Sequence, residues 1–203
     1  PSISLGRTTD PLRVRAATDG HLCTGVDVRI RDEQGRHRRT GTGEIITRGP
    51  DLFSGYVDPA MNAAAFDQGW YRTGDIGLVD ERGYVTVLDR LKDIIIRSGL
   101  NVSASEVEAA LASMPEIADV AVVAAPDART GEHGCAFIRP AAGHGVPSLS
   151  RIREHLITLG LAKYKWPEEI RGQSSDFPRT PAGKVRKSVL RTIARQTDAR
   201  EGR

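Results

Sequence analysis

The chain has 203 residues, of which 39% are hydrophobic and 27% are charged, with a formal net charge of +3. This is the composition of an ordinary globular protein with one domain or two small ones. The longest apolar runs fall short of the roughly 20 residues that a membrane-spanning helix needs, so no membrane span is expected. Basic residues gather near the end of the chain. The simplest explanation for these basic residues is a solvated helix face. Binding of a phosphate-rich small molecule is the second explanation. Binding of nucleic acid is the third, because no aromatic residues alternate with the basic ones.

The cysteines and the first residue also limit the class of protein. Only Cys23 and Cys135 occur, without a CxxC pair or a Cys/His cluster. This pattern disfavours a zinc site and a disulfide framework, and it suits a reducing cytoplasm. The chain starts at Pro1 with neither methionine nor a signal peptide, so we expect a fragment of a longer, cytoplasmic protein.

Residues 1–91 are predicted to form an antiparallel β-rich unit with few helices. Alternating apolar and polar residues indicate the strands, and Asp58 before Pro59 is a typical helix N-cap. In chain order, the predicted elements are strands at Val26–Ile30 and Gly43–Arg48, a helix from Pro59 to Phe66, and a hairpin of Ile76–Val79 with Tyr84–Leu88.

Residues 92–203 are predicted to form an α+β unit. Ser103 and Glu106 make a capping-box pattern, and Leu149, Ile152 and Leu156 recur at helical spacing. In chain order, the predicted elements are a strand at Asp93–Ile96, a helix from Ser103 to Met114, strands at Ile117–Ala124 and Gly134–Arg139, a helix at Ser148–Gly160, a strand at Glu169–Arg171 and a final helix at Lys184–Gln196.

Four segments have spacings that strands and turns alone do not explain. Each one taken singly also fits an ordinary turn or a surface charge cluster, so none is decisive by itself. They are Gly43–Tyr56, with Gly-Glu-Ile, Arg-Gly-Pro and Gly-Tyr; Tyr71–Asp75, with Tyr-Arg-Thr-Gly-Asp; Asp89–Glu106, with Asp-Arg-Leu-Lys-Asp and Ser-Gly-Leu-Asn; and Pro178–Lys184, with Pro-Arg-Thr-Pro-Ala-Gly-Lys.

Together and in this order, the four segments resemble the adenylate-forming superfamily of acyl-CoA synthetases, adenylation domains and luciferases. The resemblance runs from about Leu5 to Arg191. It implies an α+β fold in which residues 1–91 are the last β-rich part of a large N-terminal domain and residues 92–203 are a small, mobile C-terminal lid. The family's phosphate-binding loop does not occur in this sequence, so the expected fragment would need the N-terminal domain of the same protein.

The resemblance also implies a site for ATP. Lys184 matches the family's lysine that bridges the carboxylate and the α-phosphate, where fixed positive charge is needed. Asp75 matches the aspartate that accepts the ribose hydroxyls, and Arg90 matches an arginine that reaches the nucleotide. The family also uses Mg²⁺, which we expect to be bound mainly by the N-terminal domain. No metal ligands are expected in this chain.

A second set of residues is implied for domain rotation and for CoA. Lys92 occupies the family's hinge position, and Gly99 matches a glycine that lines the pantetheine tunnel. Lys163 and Lys165 match a segment near the nucleotide end of CoA, although a surface loop is an equal alternative. Many relatives have Gly-Gly where this chain has Ser98 and Gly99, and many have proline where it has Ala104.

The resemblance therefore implies an AMP-forming acid:CoA ligase. It would activate a carboxylic acid with ATP as an acyl-adenylate and transfer the acyl group to CoA, releasing AMP. Two alternatives stay open: an adenylating enzyme that delivers the acyl group to a carrier protein, and a non-catalytic lid or interaction domain. The fragment alone is expected to be inactive, and the acid itself is not specified by this sequence.

Overall fold

The structure, a computed structural model, describes the backbone of residues 2–201 and the side chains of residues 2–196. It divides into two compact units, the first ending at Lys92 and the second beginning at Asp93. This division lies one residue beyond the expected boundary. The predicted α+β class is confirmed.

The first unit is built almost entirely of antiparallel strands. Its main sheet has the order β4-β3-β5-β7-β6, with β8 beside β7, and β1 pairs with β2 separately. The elements are β1 (Ser4–Leu5), α1 (Leu12–Ala17), β2 (His21–Leu22), β3 (Asp27–Arg31), β4 (His37–Arg38), β5 (Gly41–Arg48), α2 (Pro59–Ala65), β6 (Phe66–Asp67), β7 (Trp70–Val79) and β8 (Val85–Arg90), followed by a 3₁₀ turn (Leu91–Asp93).

The core of the first unit lies on one face of this sheet. Val28 and Ile30 alternate with more exposed residues along β3, as a half-buried strand requires. They pack with Ile45, Val79 and Val85. The predicted strands therefore occur because their apolar residues recur with the period of a strand.

Of the two helices of the first unit, the sequence predicted α2 but not α1. The Asp58 carboxylate caps α2 by accepting a hydrogen bond from the Ala60 N–H at 2.9 Å, and the helix ends at Ala65, one residue before the predicted end. Helix α1 was not predicted. It has six residues, no side-chain cap and no buried residue. It therefore lacks both a capping residue and an apolar face, the two features by which a helix is recognised in a sequence.

The second unit is a mixed five-stranded sheet with helices on both faces. Its strands follow the order β10-β9-β12-β11, and β13 pairs with β12 in parallel. The elements are β9 (Ile94–Arg97), β10 (Leu100–Ser103), α3 (Ala104–Ala112), β11 (Ile117–Asp127), β12 (Gly131–Pro140), α4 (Leu149–Thr158), a 3₁₀ turn (Lys163–Lys165), β13 (Glu169–Gly172) and α5 (Lys187–Glu201).

Strands β11 and β12 are buried on both faces, so they bear two apolar cores. Val107 and Leu111 of α3 and Ile152 and Leu156 of α4 pack on one face. On the other face, Leu190 and Ala194 of α5 pack against residues of the same strands, including Val123 and Phe137. Burial on both faces explains why β11 reads as a nearly continuous apolar run.

Several predicted boundaries in the second unit were wrong by a few residues. Asp93 lies in a 3₁₀ turn rather than in a strand, and α3 ends at Ala112 rather than Met114. Helix α5 begins at Lys187 rather than Lys184, because Val185 pairs with Arg179 in an isolated bridge. The predicted Ser103 cap forms, with its hydroxyl accepting the Glu106 N–H at 3.1 Å. Ser148 caps α4 in the same way, accepting the Arg151 N–H at 3.3 Å.

No helix within residues 2–201 is long and apolar enough to cross a bilayer. Among the side chains of residues 2–196, no group of three or more His, Cys, Asp or Glu is placed to bind a metal ion.

Candidate functional site

The Tyr-Arg-Thr-Gly-Asp segment forms an irregular bulge in β7. Glu44 of β5 pairs with Ile76, whereas Ile46 pairs with Arg72, so three residues of β7 stand opposite a single residue of β5. The backbone needs Gly74 in the bulge, because its φ of 71° is a conformation that side chains disfavour. The Thr73 hydroxyl fixes the bulge: it donates to the Ile45 carbonyl at 2.8 Å and accepts the Asp75 N–H at 3.0 Å.

Asp75 and Arg90, the two predicted nucleotide-binding residues, lie opposite each other on β7 and β8. The Arg90 Nε lies 2.7 Å from the Asp75 Oδ1, and about half of the arginine side chain is exposed. The structure therefore brings these two residues together. The pair presents a carboxylate and a guanidinium side by side, which suits a ligand with both hydroxyl and phosphate groups.

A buried ion pair beneath the bulge was missed from the sequence. Glu44 is only 4% exposed, and its carboxylate accepts two bonds from Arg72, at 3.0 Å from Nε and 2.9 Å from Nη2. Arg31 approaches the same carboxylate at 4.0 Å. The sequence did contain an indication of this pair: Glu44 precedes two isoleucines in a predicted strand, and a carboxylate buried there needs a positively charged partner.

An open groove of about 620 Å³ lies beside the bulge. It is bounded by the bulge, by α2 and by the segment from Arg90 to Lys92. Tyr56 and Tyr71 both line it, and a hydrogen bond to Tyr56, together with partial burial, raises the pKa of the Tyr71 phenol. The predicted hinge residue Lys92 is exposed at one end of this groove, in the 3₁₀ turn where the first unit ends.

In the second unit, Lys184 lies at the end of a tight hairpin. The Thr180 carbonyl accepts the Gly183 N–H, and the Thr180 N–H donates to the Lys184 carbonyl, both at 2.8 Å. Pro181 is favoured at this turn position, and Gly183 supplies the φ of 80° that the turn needs. The Arg179 guanidinium donates to the Gly183 carbonyl at 2.8 Å and also pairs with Asp119 of β11.

The ammonium group of Lys184 is exposed and available to a ligand. Among the side chains of residues 2–196, none forms a hydrogen bond or an ion pair with it. Its backbone is held by several bonds while its charge is unpaired. This combination suits a lysine that stabilises negative charge on a bound substrate.

Gly99 lies in the two-residue turn between β9 and β10. Ser98 and Gly99 have φ values of 50° and 79°, and the Ser98 N–H donates to the Thr130 carbonyl at 2.8 Å. A positive φ is uncommon for a residue other than glycine. The serine at this position therefore keeps the turn conformation despite its side chain.

The two lysines predicted to contact CoA differ in their surroundings. Lys163 lines a cavity of about 800 Å³ together with Arg97, Arg153 and Trp166. The Lys165 ammonium points elsewhere, to both carboxylate oxygens of Glu106 at 2.7 Å each. The structure thus places one lysine at the cavity and leaves the other paired with an acidic residue of α3.

Comparison with known proteins finds relatives over most of the chain. Residues 106–184 match the AMP-binding enzyme C-terminal domain. Over 185 residues, the chain is 41% identical to the medium-chain fatty-acid–CoA ligase of Escherichia coli K12, covering 90% of this chain and 32% of that protein. It is 38% identical over 193 residues to the 2,3-dihydroxybenzoate-AMP ligase of Bacillus subtilis 168, covering 93% and 35%.

A solved structure gives the same result. ATP-bound MatB from Rhodopseudomonas palustris superposes with a TM-score of 0.78 at 35% identity, over 87% of this chain and 35% of that one. The chain thus spans about a third of the length of the relatives it matches. Its homologues are acyl-CoA ligases and related adenylating enzymes, and the chain belongs to the adenylate-forming superfamily as the counterpart of its C-terminal part.

Proposed function

We propose that this chain is the C-terminal part of an AMP-forming acid:CoA ligase that converts a carboxylic acid, ATP and CoA into an acyl-CoA, AMP and pyrophosphate. The observation that carries the proposal is the Lys184 hairpin, with a fixed backbone and an unpaired ammonium group. The matched AMP-binding C-terminal domain extends to this residue.

The first half-reaction requires a carboxylate oxygen to attack the α-phosphorus of ATP, with pyrophosphate leaving. Two anions meet in that step, so a fixed cation lowers the barrier. Lys184 supplies this cation, while Asp75 accepts hydrogen bonds from the ribose hydroxyls and Arg90 orients the nucleotide. Mg²⁺, when bound, would offset the charge of the phosphates. We place Mg²⁺ mainly on the N-terminal part of the longer protein, as the family resemblance implies.

In the second half-reaction, the thiol sulfur of CoA attacks the acyl carbon and AMP leaves. We propose that Gly99 borders the path of pantetheine and that Lys163, at the large cavity, binds phosphate groups of CoA. The second unit would rotate about Lys92 between the two steps. The two free cysteines, Cys23 and Cys135, suit a location in the cytoplasm.

A carrier protein is the alternative acyl acceptor. Similarity to a 2,3-dihydroxybenzoate-AMP ligase and to a pyochelin synthase keeps it open. Both acceptors offer the same thiol, but only CoA carries the nucleotide phosphates that an exposed Lys163 could bind. This difference favours CoA.

The test uses the longer protein that contains this chain, supplied with ATP, a panel of aliphatic and aromatic acids, and either CoA or a phosphopantetheine-loaded carrier protein. We expect acid-dependent pyrophosphate exchange, and AMP release that depends on CoA. The 203-residue chain, assayed alone, is expected to show no exchange, because its sequence lacks a phosphate-binding loop. Exchange by the chain alone, or release that depends only on the carrier protein, would contradict the proposal.

Replacing Lys92 with proline is expected to slow CoA transfer more than adenylation. Proline fixes φ near −65° and disfavours helical dihedrals at Leu91, which lies in the same 3₁₀ turn. Rotation about this point is therefore restricted. Pyrophosphate exchange measures the first step, and single-turnover consumption of supplied acyl-adenylate with CoA measures the second. Lys92→Ala is the control, and equal loss of both steps in Lys92→Pro would argue against a hinge here.

A further inference from the structure

The segment Lys163–Lys165 is a single 3₁₀ turn whose two lysines diverge. Ala162 begins the turn, accepting the Lys165 N–H at 2.9 Å, and the Lys163 carbonyl accepts the Trp166 N–H at 3.2 Å. Lys163 is exposed at the cavity, whereas the Lys165 side chain is only 20% exposed. Two cations of one short turn thus have different environments.

Glu106 accounts for the difference. Both of its carboxylate oxygens lie 2.7 Å from the Lys165 ammonium, although the two residues are 59 positions apart. Glu106 itself is fixed in the first turn of α3, since its N–H donates to the Ser103 hydroxyl at 3.1 Å. The ion pair therefore connects the 3₁₀ turn to the capped end of a helix that packs in the core.

The other end of the turn is fixed by Trp166. Its indole N–H donates to the Leu161 carbonyl at 2.8 Å, and its ring packs against the core while also lining the cavity. The turn is thus held on both sides of Lys163, by the Lys165–Glu106 pair and by Trp166. Lys163 is the member of this turn left free to contact a ligand, since no described side chain pairs with its ammonium.

We propose that Lys165 is a positioning residue rather than a CoA ligand: its ion pair with Glu106 holds the turn that presents Lys163 to the phosphates of CoA. The choice of CoA as the ligand rests on the proposed ligase function, whereas the role of the Lys165–Glu106 pair in holding the turn does not. It also assigns a role to Glu106, which has no other part in the site. A phosphate that bound Lys165 directly would have to displace the Glu106 carboxylate, both oxygens of which already contact the Lys165 ammonium.

The two possible roles of Lys165 predict opposite effects for Glu106→Gln. If Lys165 positions the turn, Glu106→Gln and Lys165→Met both raise the KM for CoA by a similar factor, and combining them adds little. If Lys165 binds phosphate, Glu106→Gln frees its ammonium and lowers the KM. Lys163→Met provides the reference for loss of a direct phosphate contact, for which we expect about a tenfold rise in KM.

The experiment measures kcat and KM for CoA in the longer protein, with pyrophosphate exchange as a readout of adenylation. We expect Glu106→Gln and Lys165→Met to leave exchange unchanged. The charge-swapped pair Glu106→Lys with Lys165→Glu should return the KM to within about threefold of the unmodified enzyme, because the pair re-forms with a small penalty for a lysine in the first helical turn. A lowered KM in Glu106→Gln, or no recovery in the swap, overturns the proposal.

Hydrogen–deuterium exchange of the Lys165 and Trp166 amides tests the positioning independently of CoA. Both amides should exchange faster in Glu106→Gln and Lys165→Met, and at the original rate in the swapped pair. Unchanged exchange alongside a raised KM would overturn the positioning role. An unmodified enzyme that forms no acyl-CoA would refute the proposed function instead, while the exchange data would still decide the role of Lys165.

Discussion

Replacing Lys184 with alanine is expected to slow acyl-adenylate formation in the longer protein by at least about 10²–10³-fold. Loss of one preorganised donor from a developing charge costs about 2.7–4 kcal/mol, and a cation between two anions contributes at the upper end. Acyl transfer from supplied acyl-adenylate to CoA should be nearly unchanged, because the carboxylate and the phosphate no longer have to be brought together. Pyrophosphate exchange and single-turnover transfer measure the two steps in one preparation.

Arg186→Ala is the matched control for Lys184→Ala. It removes another exposed positive charge two residues away and should alter adenylation only slightly. If general positive potential around the hairpin were responsible, the two variants would slow exchange to a similar extent. Normal exchange in Lys184→Ala would remove this residue from the mechanism, whatever the result for Arg186.

Replacing Arg72 with methionine is expected to destabilise the first unit by about 3 kcal/mol. Removing one partner of a buried ion pair leaves an uncompensated charge, with typical losses of about 3–5 kcal/mol. Here the lower end applies, because the Arg72 side chain is 30% exposed and Arg31 remains 4.0 Å from the Glu44 carboxylate. Urea unfolding of the 203-residue chain, followed by the fluorescence of the buried Trp70, measures the effect.

Two further variants sharpen the Arg72 experiment. Trp166→Phe removes the other tryptophan, so that the signal reports the first unit alone. Glu44→Gln combined with Arg72→Met should recover much of the lost stability, since no buried charge is then left unpaired. If the double variant is as unstable as the sum of the two single ones, the Glu44–Arg72 contact contributes little and the loss has another cause.

Local features of the sequence predicted most of the elements, because their signals lie within a few residues. The alternation of β3, the Asp58 cap before Pro59, the Ser103 cap and the helical spacing of Leu149, Ile152 and Leu156 all depend on neighbours in the chain. Helix α1 was missed since it is short, uncapped and unburied. The Lys184 segment was assigned to a helix because the Arg179–Val185 bridge is not visible in residue periodicity.

The candidate site shows a similar limit. Resemblance to a family suggested Asp75, Arg90 and Lys184 by their place in a motif, and the structure places the first two in contact. It did not suggest the Glu44–Arg72 or Glu106–Lys165 pairs, which join residues 28 and 59 positions apart. Such partners depend on strand register and on helix packing, so a sequence read one segment at a time leaves them unidentified.

The closure of the Lys184 hairpin on itself has a consequence for how such enzymes can diversify. Its bonds join residues from Pro178 to Arg186, and Arg179 adds one contact with Asp119 of β11. The backbone at Lys184 is therefore held mainly by bonds within the hairpin. Under the proposed function, a mutation that reshapes an acyl pocket elsewhere in the longer protein would leave the backbone of this hairpin unchanged. Acid selectivity and adenylation chemistry would then, under the same proposal, be open to separate selection.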